Sequence, residues 1–302
     1  MTTSAARQLL RDHPLIAFFV LTYIRTWGLV LPFGLFFPPG CLLAAVIVVG
    51  LTRGRAGFAE LGRRLTRWRV RAVWYALAVA VPVGVQLLTF GINLSLGAGT
   101  PTSLAQLAPL SILGAFAVRL VNPLDGPLAE EPGWRAFAQP QLQLGRSRLS
   151  ATLILAVLVA CWHLPLWLLP EFGATPSIIV ADVFGTLAVT IWYSWLFNHS
   201  GGSALLTLIA HSVEGLVHPQ LFWSDPAVAS QATSVYAAVW CLTALVLVLA
   251  DWQFWSSRPD HRHESHLAGT RGPDNDPALA HQNVELRPIR VGPGSTQGHS
   301  GS

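Results

Sequence analysis

The sequence predicts an all-α fold: a polytopic transmembrane helix bundle of about eight spans, followed by a disordered C-terminal tail. Hydrophobic residues make up 52% of the 302 residues and charged residues only 11%, whereas a soluble domain carries about 25% charged residues. The mean hydropathy of +0.48 agrees with this composition. Apolar runs close to the ~20 residues that cross a bilayer recur along most of the chain. The composition therefore disfavours an ordinary soluble globular protein.

Eight apolar segments are the candidate spans. The first follows basic residues without a clear small-residue cleavage site, so we expect a permanent helix and not a removed signal. The second is short, and the third follows an arginine-rich segment. The fourth runs into a segment where Pro127, Pro132 and Gly133 should kink or break the helix. In chain order the segments are 14–36, 39–52, 71–91, 106–126, 149–169, 177–197, 203–223 and 233–255.

The arginines predict the orientation of these spans, because cytoplasmic loops carry an excess of basic residues. The segment 53–71 holds seven arginines, and Glu60 is its one acidic residue. No arginine occurs in the segments assigned to the outside, which are 92–105, 170–176 and 224–232. Both termini are therefore predicted to lie in the cytoplasm of a multi-pass cell-membrane protein.

Composition divides the chain into three parts. Residues 257–302 are rich in Pro, Gly, His, Ser and Asp and contain few large apolar residues. Such a segment cannot bury enough apolar surface to offset the entropy lost on ordering. The predicted parts are a cytoplasmic N-terminal segment at 1–13, a membrane-embedded domain at 14–256 and a disordered cytoplasmic tail at 257–302.

Two adjacent carboxylates, Glu130 and Glu131, lie inside a chain that is otherwise built for lipid. An ion at membrane depth costs roughly 2.5–3.5 kcal/mol, so such residues face a bundle interior or a water-filled cavity and indicate a functional site. On a helix, Glu131 and Arg135 share a face and can pair, which leaves Glu130 available for proton transfer. The alternative is a salt bridge at the cytoplasmic end of a helix.

Histidines occur in two later apolar segments. His163 lies near the end of the fifth segment, where a histidine can also be a hydrogen-bonded packing residue. In the seventh segment His211, Glu214 and His218 follow at i, i+3 and i+7 and form one polar stripe. A seam of hydrogen bonds between helices is the alternative explanation for the stripe.

Together these motifs resemble the type II CAAX prenyl protease and bacteriocin-processing family of intramembrane proteases. Its pattern is EExxxR, then FxxxH, then HxxxN or HxxxD, each on a separate transmembrane helix. The matching segments are Glu-Glu-Pro-Gly-Trp-Arg at 130–135, Trp-His-Leu-Pro at 162–165 and the stretch 195–211 that ends in a histidine. The resemblance extends over about 14–255 and implies an endopeptidase that hydrolyses peptide bonds of a membrane-associated protein or peptide.

The resemblance also implies a role for each matching residue. Glu130 corresponds to the glutamate that activates a water together with the histidine matching His163. Glu131 and Arg135 correspond to the pair that supports and orients the site. His211 corresponds to the histidine that helps to stabilise the oxyanion. These roles are chemically consistent, because a base within hydrogen-bond reach takes the proton of water and preorganised donors meet the developing charge.

Two positions depart from the family's pattern. Val159 stands four residues before the first histidine, where the family has an aromatic residue, and this difference should change only packing. Gly215 stands four residues after His211, where the family has Asn or Asp, so one side-chain donor of the oxyanion site is missing. Losing one such donor typically costs about 10²–10³ in rate. Glu214 and His218 are the candidate substitutes.

The sequence leaves the cofactor open. His163, His211 and Glu130 could form the two-histidine, one-carboxylate zinc site of a hydrolase. They lie on three different helices, however, and lack the HExxH spacing that would indicate zinc strongly. We therefore favour a mechanism that requires no metal and keep zinc as the alternative.

The expected partners are a peptide or membrane-protein substrate and the lipid bilayer. No nucleic-acid partner is expected, because arginines beside the spans account for the net charge of +4. The main alternative function is a non-catalytic membrane scaffold or a bacteriocin self-immunity protein of the same fold, which Gly215 favours. A small-solute transporter using Asp182 is disfavoured, because the sequence has no inverted repeat.

Overall fold

The computed structural model describes residues 8, 10–99, 108–169, 174–217, 222–223 and 225–259. These residues form helices, turns and irregular segments and contain no strand, so the all-α prediction is confirmed for this part of the chain. The tail predicted to be disordered lies outside the described residues from position 260 onward.

The described part of the chain contains twelve α-helices. They are α1 (Pro14–Phe33), α2 (Pro39–Thr52), α3 (Gly54–Leu65), α4 (Ala72–Ser95), α5 (Pro109–Val121), α6 (Gly126–Glu131), α7 (Gln139–Leu142), α8 (Arg148–His163), α9 (Pro176–His199), α10 (Ala204–Glu214), α11 (Pro226–Ala250) and α12 (Trp252–Ser256). A π-helical segment, Pro132–Ala138, joins α6 to α7. Short 3-10 turns, Leu164–Leu168 and Gly215–Val217, follow α8 and α10.

Five helical segments among the described residues are long and apolar enough to cross a membrane. They are Pro14–Phe33, Ala72–Ser95, Arg148–Leu168, Pro176–His199 and Pro226–Ala250. Helices α2 and α10 are apolar but shorter. The long helices expose large apolar side chains on their outward surfaces, for example Leu87 on α4 and Leu249 on α11, which suits contact with lipid. The structure therefore supports a helical membrane protein, whereas the predicted count of eight spans is not confirmed.

The predicted fourth span, 106–126, contains the 13-residue helix α5 and then an interruption of the helix. Helix α5 ends at Val121 because Asn122 precedes Pro123, and a residue before proline is pushed out of the helical region. Asn122 accordingly has extended backbone angles, with φ −81° and ψ 111°. The helix therefore ends before the paired glutamates, and a new helix, α6, begins at Gly126.

Pro127, Pro132 and Gly133 were predicted to kink or break the helix, and the regular α-helical geometry does end at Glu131, directly before Pro132. Pro132 begins the π-helical segment, so the chain continues from α6 through this wider turn into α7. Gly133 permits close packing on α2, because a side chain there would collide with the Cys41 thiol and lie 3.0 Å from the Phe18 ring. The glycine therefore fixes the depth at which the glutamates lie in the bundle.

A large tryptophan anchors the same segment. The Trp134 ring is fully buried and contacts Phe18, Phe19 and Trp162 of α1 and α8, with ring centroids 5.5–5.9 Å apart. Burial of large aromatic side chains contributes strongly to core stability. From the opposite side, Arg64 of α3 donates a hydrogen bond to the Ala136 carbonyl at 3.3 Å. The π-helical segment is thus held on several sides.

Candidate active site

Residues from α6, the π-helical segment, α8 and α10 meet at a cavity of about 170 Å³ inside the bundle. Further lining residues come from α9 and α11. The lining side chains with polar groups include Glu130, Glu131, Arg135, His163, Asp182, Tyr193, His211, Glu214 and Tyr236. The structure therefore brings together the five residues predicted to be catalytic, although they are distant in the sequence.

Glu131 connects two of the other site residues. Its Oε1 atom accepts a hydrogen bond from Nδ1 of His211 at 3.0 Å, and its Oε2 atom lies 3.6 Å from Nε of Arg135. Glu131 is 0% exposed and Arg135 is 2% exposed. The predicted pairing of these two residues is confirmed, and its burial distinguishes it from a solvent-facing salt bridge at a helix end.

Tyr193 of α9 supports this arrangement. The Arg135 guanidinium lies 4.9 Å from the centre of the Tyr193 ring. On the same ring, the imidazole of His211 stacks at 5.4 Å with an interplanar angle of 29°. Sequence reasoning missed Tyr193, because no motif includes it and only the packing of α9 against α10 and the π-helical segment brings it here. It holds Arg135 and His211 at fixed orientations.

Glu130 has a separate environment. Its side chain is buried, and Nε1 of Trp134 donates to Oε2 at 3.2 Å. The other oxygen faces Gly126, where a Cβ atom would lie 3.1 Å from Oε1 of Glu130 and 3.4 Å from Nε2 of His211. One carboxylate oxygen and one imidazole nitrogen are thus directed at the same small space, which the absence of a side chain on Gly126 keeps open.

His163 lies at the end of α8 with a defined ring orientation. Its Nδ1 donates a hydrogen bond to the Val159 carbonyl at 2.9 Å, and its ring stacks on Phe36 at 6.0 Å. Because Nδ1 holds a proton for this bond, Nε2 is the nitrogen that can accept a proton in the neutral ring. Val159, which replaces an aromatic residue of the family's pattern, orients the histidine through its backbone.

Part of the chain, including this arrangement of residues, matches a known family model. Residues 108–217 match the family model described as Type II CAAX prenyl endopeptidase Rce1-like. This segment, 108–217, is similar to that family. This segment runs from α5 to the turn after α10 and includes all five residues of the predicted catalytic set. The resemblance found from the motifs is therefore confirmed over 108–217. No curated protein matches the chain.

The last turn of α10 carries two residues of the predicted polar stripe, His211 and Glu214. Glu214 accepts a hydrogen bond from the Tyr236 hydroxyl of α11, so it takes part in a contact between helices. His218 lies outside the described residues. At Gly215 a Cβ atom would collide with the Arg119 guanidinium. Arg119 reaches this point because α5 packs against α10. No sequence motif includes Arg119.

A metal-binding group of side chains is absent from the part of the chain that the structure describes. No three His, Cys, Asp or Glu side chains there are grouped so that they could hold a metal ion. In the candidate trio, His211 donates Nδ1–H to Glu131 and His163 donates Nδ1–H to a backbone carbonyl. Glu130 accepts from Trp134. These contacts leave Nε2 of both histidines free, as in histidines that bind a metal, so the spacing of the side chains and not their hydrogen bonds prevents a ligand set here.

Proposed function

We propose that the protein is an intramembrane endopeptidase that hydrolyses peptide bonds of a membrane-associated protein or peptide. One observation carries this proposal: two carboxylates, an arginine and two histidines from separate helical elements line one buried cavity in an apolar bundle. Charges are costly in such surroundings and are kept where they act on a substrate or an ion. The Rce1-like family supports the same reaction.

In the proposed reaction Glu130 and His163 activate the water. Glu130 removes a proton from a water molecule as the water oxygen attacks the carbonyl carbon of the scissile peptide bond, and Nε2 of His163 accepts a hydrogen bond from that water. Glu130 then transfers the proton to the leaving amine as the C–N bond breaks. The Trp134 contact at 3.2 Å keeps one carboxylate oxygen fixed and leaves the other for the water. General-base catalysis of this kind contributes about 10²–10⁴-fold.

Glu131, Arg135 and His211 stabilise the oxyanion in this proposal. Glu131 accepts a hydrogen bond from Nδ1–H of His211 and is held by Arg135. A carboxylate in this position fixes the ring orientation and stabilises a doubly protonated imidazole. Nε2–H of His211 then donates to the negatively charged oxygen of the tetrahedral intermediate. No step requires a metal ion.

The proposed topology keeps all eight apolar segments in the membrane and both termini in the cytoplasm, with 14–256 as the embedded domain. The arginine asymmetry supports it. The substrate would enter from the cytoplasmic side. Family members in prenylating organisms remove the residues that follow a lipidated cysteine, whereas a bacterial member would act on a leader peptide, a peptide pheromone or a membrane protein.

A non-catalytic scaffold or immunity protein is the second candidate function. Gly215 favours it, because this residue cannot supply the side-chain donor found in the family's pattern. Both functions predict the same fold, so only a measurement of cleavage separates them.

The test is incubation of the purified protein in detergent with a peptide library, followed by mass spectrometry of the products. Wild type is compared with Glu130→Gln and with a control, Glu60→Gln, which alters a partly exposed glutamate paired with Arg63 and Arg64 on α3. We expect cleavage by wild type and by the control, and a loss of at least about 10² for Glu130→Gln. A folded wild type that cleaves no peptide would favour the scaffold.

A further inference from the structure

Arg119 of α5 extends its guanidinium to the backbone at the end of α10. A Cβ atom on Gly215 would collide with Nη2 of Arg119 and would lie only 2.7 Å from Cζ. The guanidinium therefore fills the space into which any side chain at position 215 would project. Position 215 is one of the two positions at which the chain departs from the family's pattern.

Asp125 holds the guanidinium in place. Its carboxylate lies 3.1 Å from Nη1 of Arg119 and also accepts the N–H of Gly126 at 2.7 Å, which caps α6. A single carboxylate thus fixes both the arginine and the first turn of the helix that carries Glu130. Within the described residues, Nε of Arg119 is buried and has no hydrogen-bond partner. An arginine carries five N–H donors, so donors remain after the contact with Asp125.

The contacts of Arg119 lead from Gly215 and Asp125 to the edge of the proposed reaction centre, and Arg119 itself does not line the cavity in this structure. Gly126 follows Asp125 directly, and its open side faces Oε1 of Glu130 and Nε2 of His211. Gly215 follows His211 by one helical turn, a rise of about 6 Å. Arg119 therefore approaches the same short stretch of α6 from the side of α5, while His211 approaches it from α10. The other cation at the site, Arg135, is already committed to Glu131.

We propose that Arg119 replaces the missing side chain of residue 215 as an oxyanion donor. This inference rests on the proposed peptidase function. When water adds to the peptide carbonyl, the carbonyl oxygen becomes negative, and the guanidinium donates an N–H hydrogen bond to it beside Nε2–H of His211. A guanidinium suits this role, because it stays charged and presents several donors in a rigid planar fork. Preorganised donors of this kind account for large rate effects in acyl transfer.

The test uses the full chain in detergent and a fluorogenic peptide whose sequence wild type cleaves in the library. Arg119→Ala should lower kcat by about 10²–10³ with little change in KM. Arg119→Lys should recover only part of the loss, because an ammonium lacks the fork. The double variant Arg119→Ala, Gly215→Asn should regain at least about tenfold over Arg119→Ala, since Asn enters the vacated space and supplies an amide donor.

Arg146→Ala is the matched control. Its guanidinium donates to the Leu142 carbonyl at 3.4 Å and is not among the groups next to Gly126 or Gly215, so kcat and KM should stay at the wild-type values. Thermal unfolding of every variant separates loss of folding from loss of catalysis. If Arg119→Ala does not fold, Arg119→Lys decides, and a kcat within about threefold of wild type would overturn the inference.

A second pair of peptides separates the oxyanion role from binding of a substrate carboxylate. The same peptide is assayed with a C-terminal acid and with a C-terminal amide. An oxyanion donor affects both equally through kcat. An increase in KM for the acid alone would overturn the inference and assign Arg119 to substrate binding. Wild-type cleavage that Arg119→Ala preserves overturns this inference alone, whereas a wild type that cleaves nothing overturns the proposed function as well.

Discussion

Glu131 accepts a hydrogen bond from His211 at 3.0 Å, although the two residues are 80 positions apart in the sequence. The same carboxylate pairs with Arg135, so one fully buried group joins α6, the π-helical segment and α10. Removal of either partner leaves the carboxylate incompletely compensated in the interior. The stability of the fold and the geometry of the site therefore depend on the same contacts.

Arg135→Ala should lower stability by about 3–5 kcal/mol, because it leaves a buried carboxylate without its cation. The matched control is Arg63→Ala, which removes a cation from an ion pair with Glu60 on a side chain that is 48% exposed. A surface pair of this kind contributes about 0–1 kcal/mol. Thermal or denaturant unfolding in detergent measures both. Equal melting temperatures for the two variants would show that the Glu131 pair is solvated.

Gly126→Ala should reduce kcat by about tenfold without loss of folding. Its methyl group would lie 3.1 Å from Oε1 of Glu130 and 3.4 Å from Nε2 of His211, so the carboxylate oxygen must move and the space beside the imidazole is filled, and small displacements in an active site are costly. Gly114→Ala on α5 is the control, because nothing lies within 4 Å of its Cβ position. Full activity of Gly126→Ala would show that the reaction does not occur beside this glycine.

Tyr193→Phe should keep near-wild-type activity and be neutral or slightly stabilising. The contacts with Arg135 and His211 use the ring, whereas the hydroxyl is buried and has no hydrogen-bond partner among the described residues. A buried hydroxyl without a partner costs about 1–3 kcal/mol, so its removal relieves that penalty. Tyr193→Leu should lose activity, because it removes the ring. Kinetics and melting temperature decide, and a large loss in the Phe variant would assign the hydroxyl a role in catalysis.

A cysteine at position 63 should react with a membrane-impermeant maleimide from the cytoplasmic side only. The prediction follows from the seven arginines between 53 and 71 and the rule that basic residues stay inside. The assay uses a background in which Cys41, Cys161 and Cys241 are replaced. Labelling in intact cells before lysis would reverse the proposed orientation.

The sequence predicted the parts of the site that depend on local spacing. Glu131 and Arg135 are four residues apart, and four residues bring side chains onto one helical face. The end of α5 could also be predicted, because Pro123 disfavours helical geometry at Asn122. The apolar run that continues past this point instead suggested a longer span. Tyr193 and Arg119 could not be inferred, because their places depend on how separate helices pack. No local rule gives that packing.

The π-helical segment between Glu131 and α7 affects how the chain responds to a change in its length. A π turn contains one more residue than an α turn, and such turns are frequent at functional sites. Deletion of one residue from Pro132–Ala138 would close this wider turn and restore ordinary helical hydrogen bonding. Arg135 would still follow Glu131 by three or four residues, and both spacings place the two side chains on one helical face. The chain can therefore absorb one residue here and keep the ion pair that lies beside the cavity.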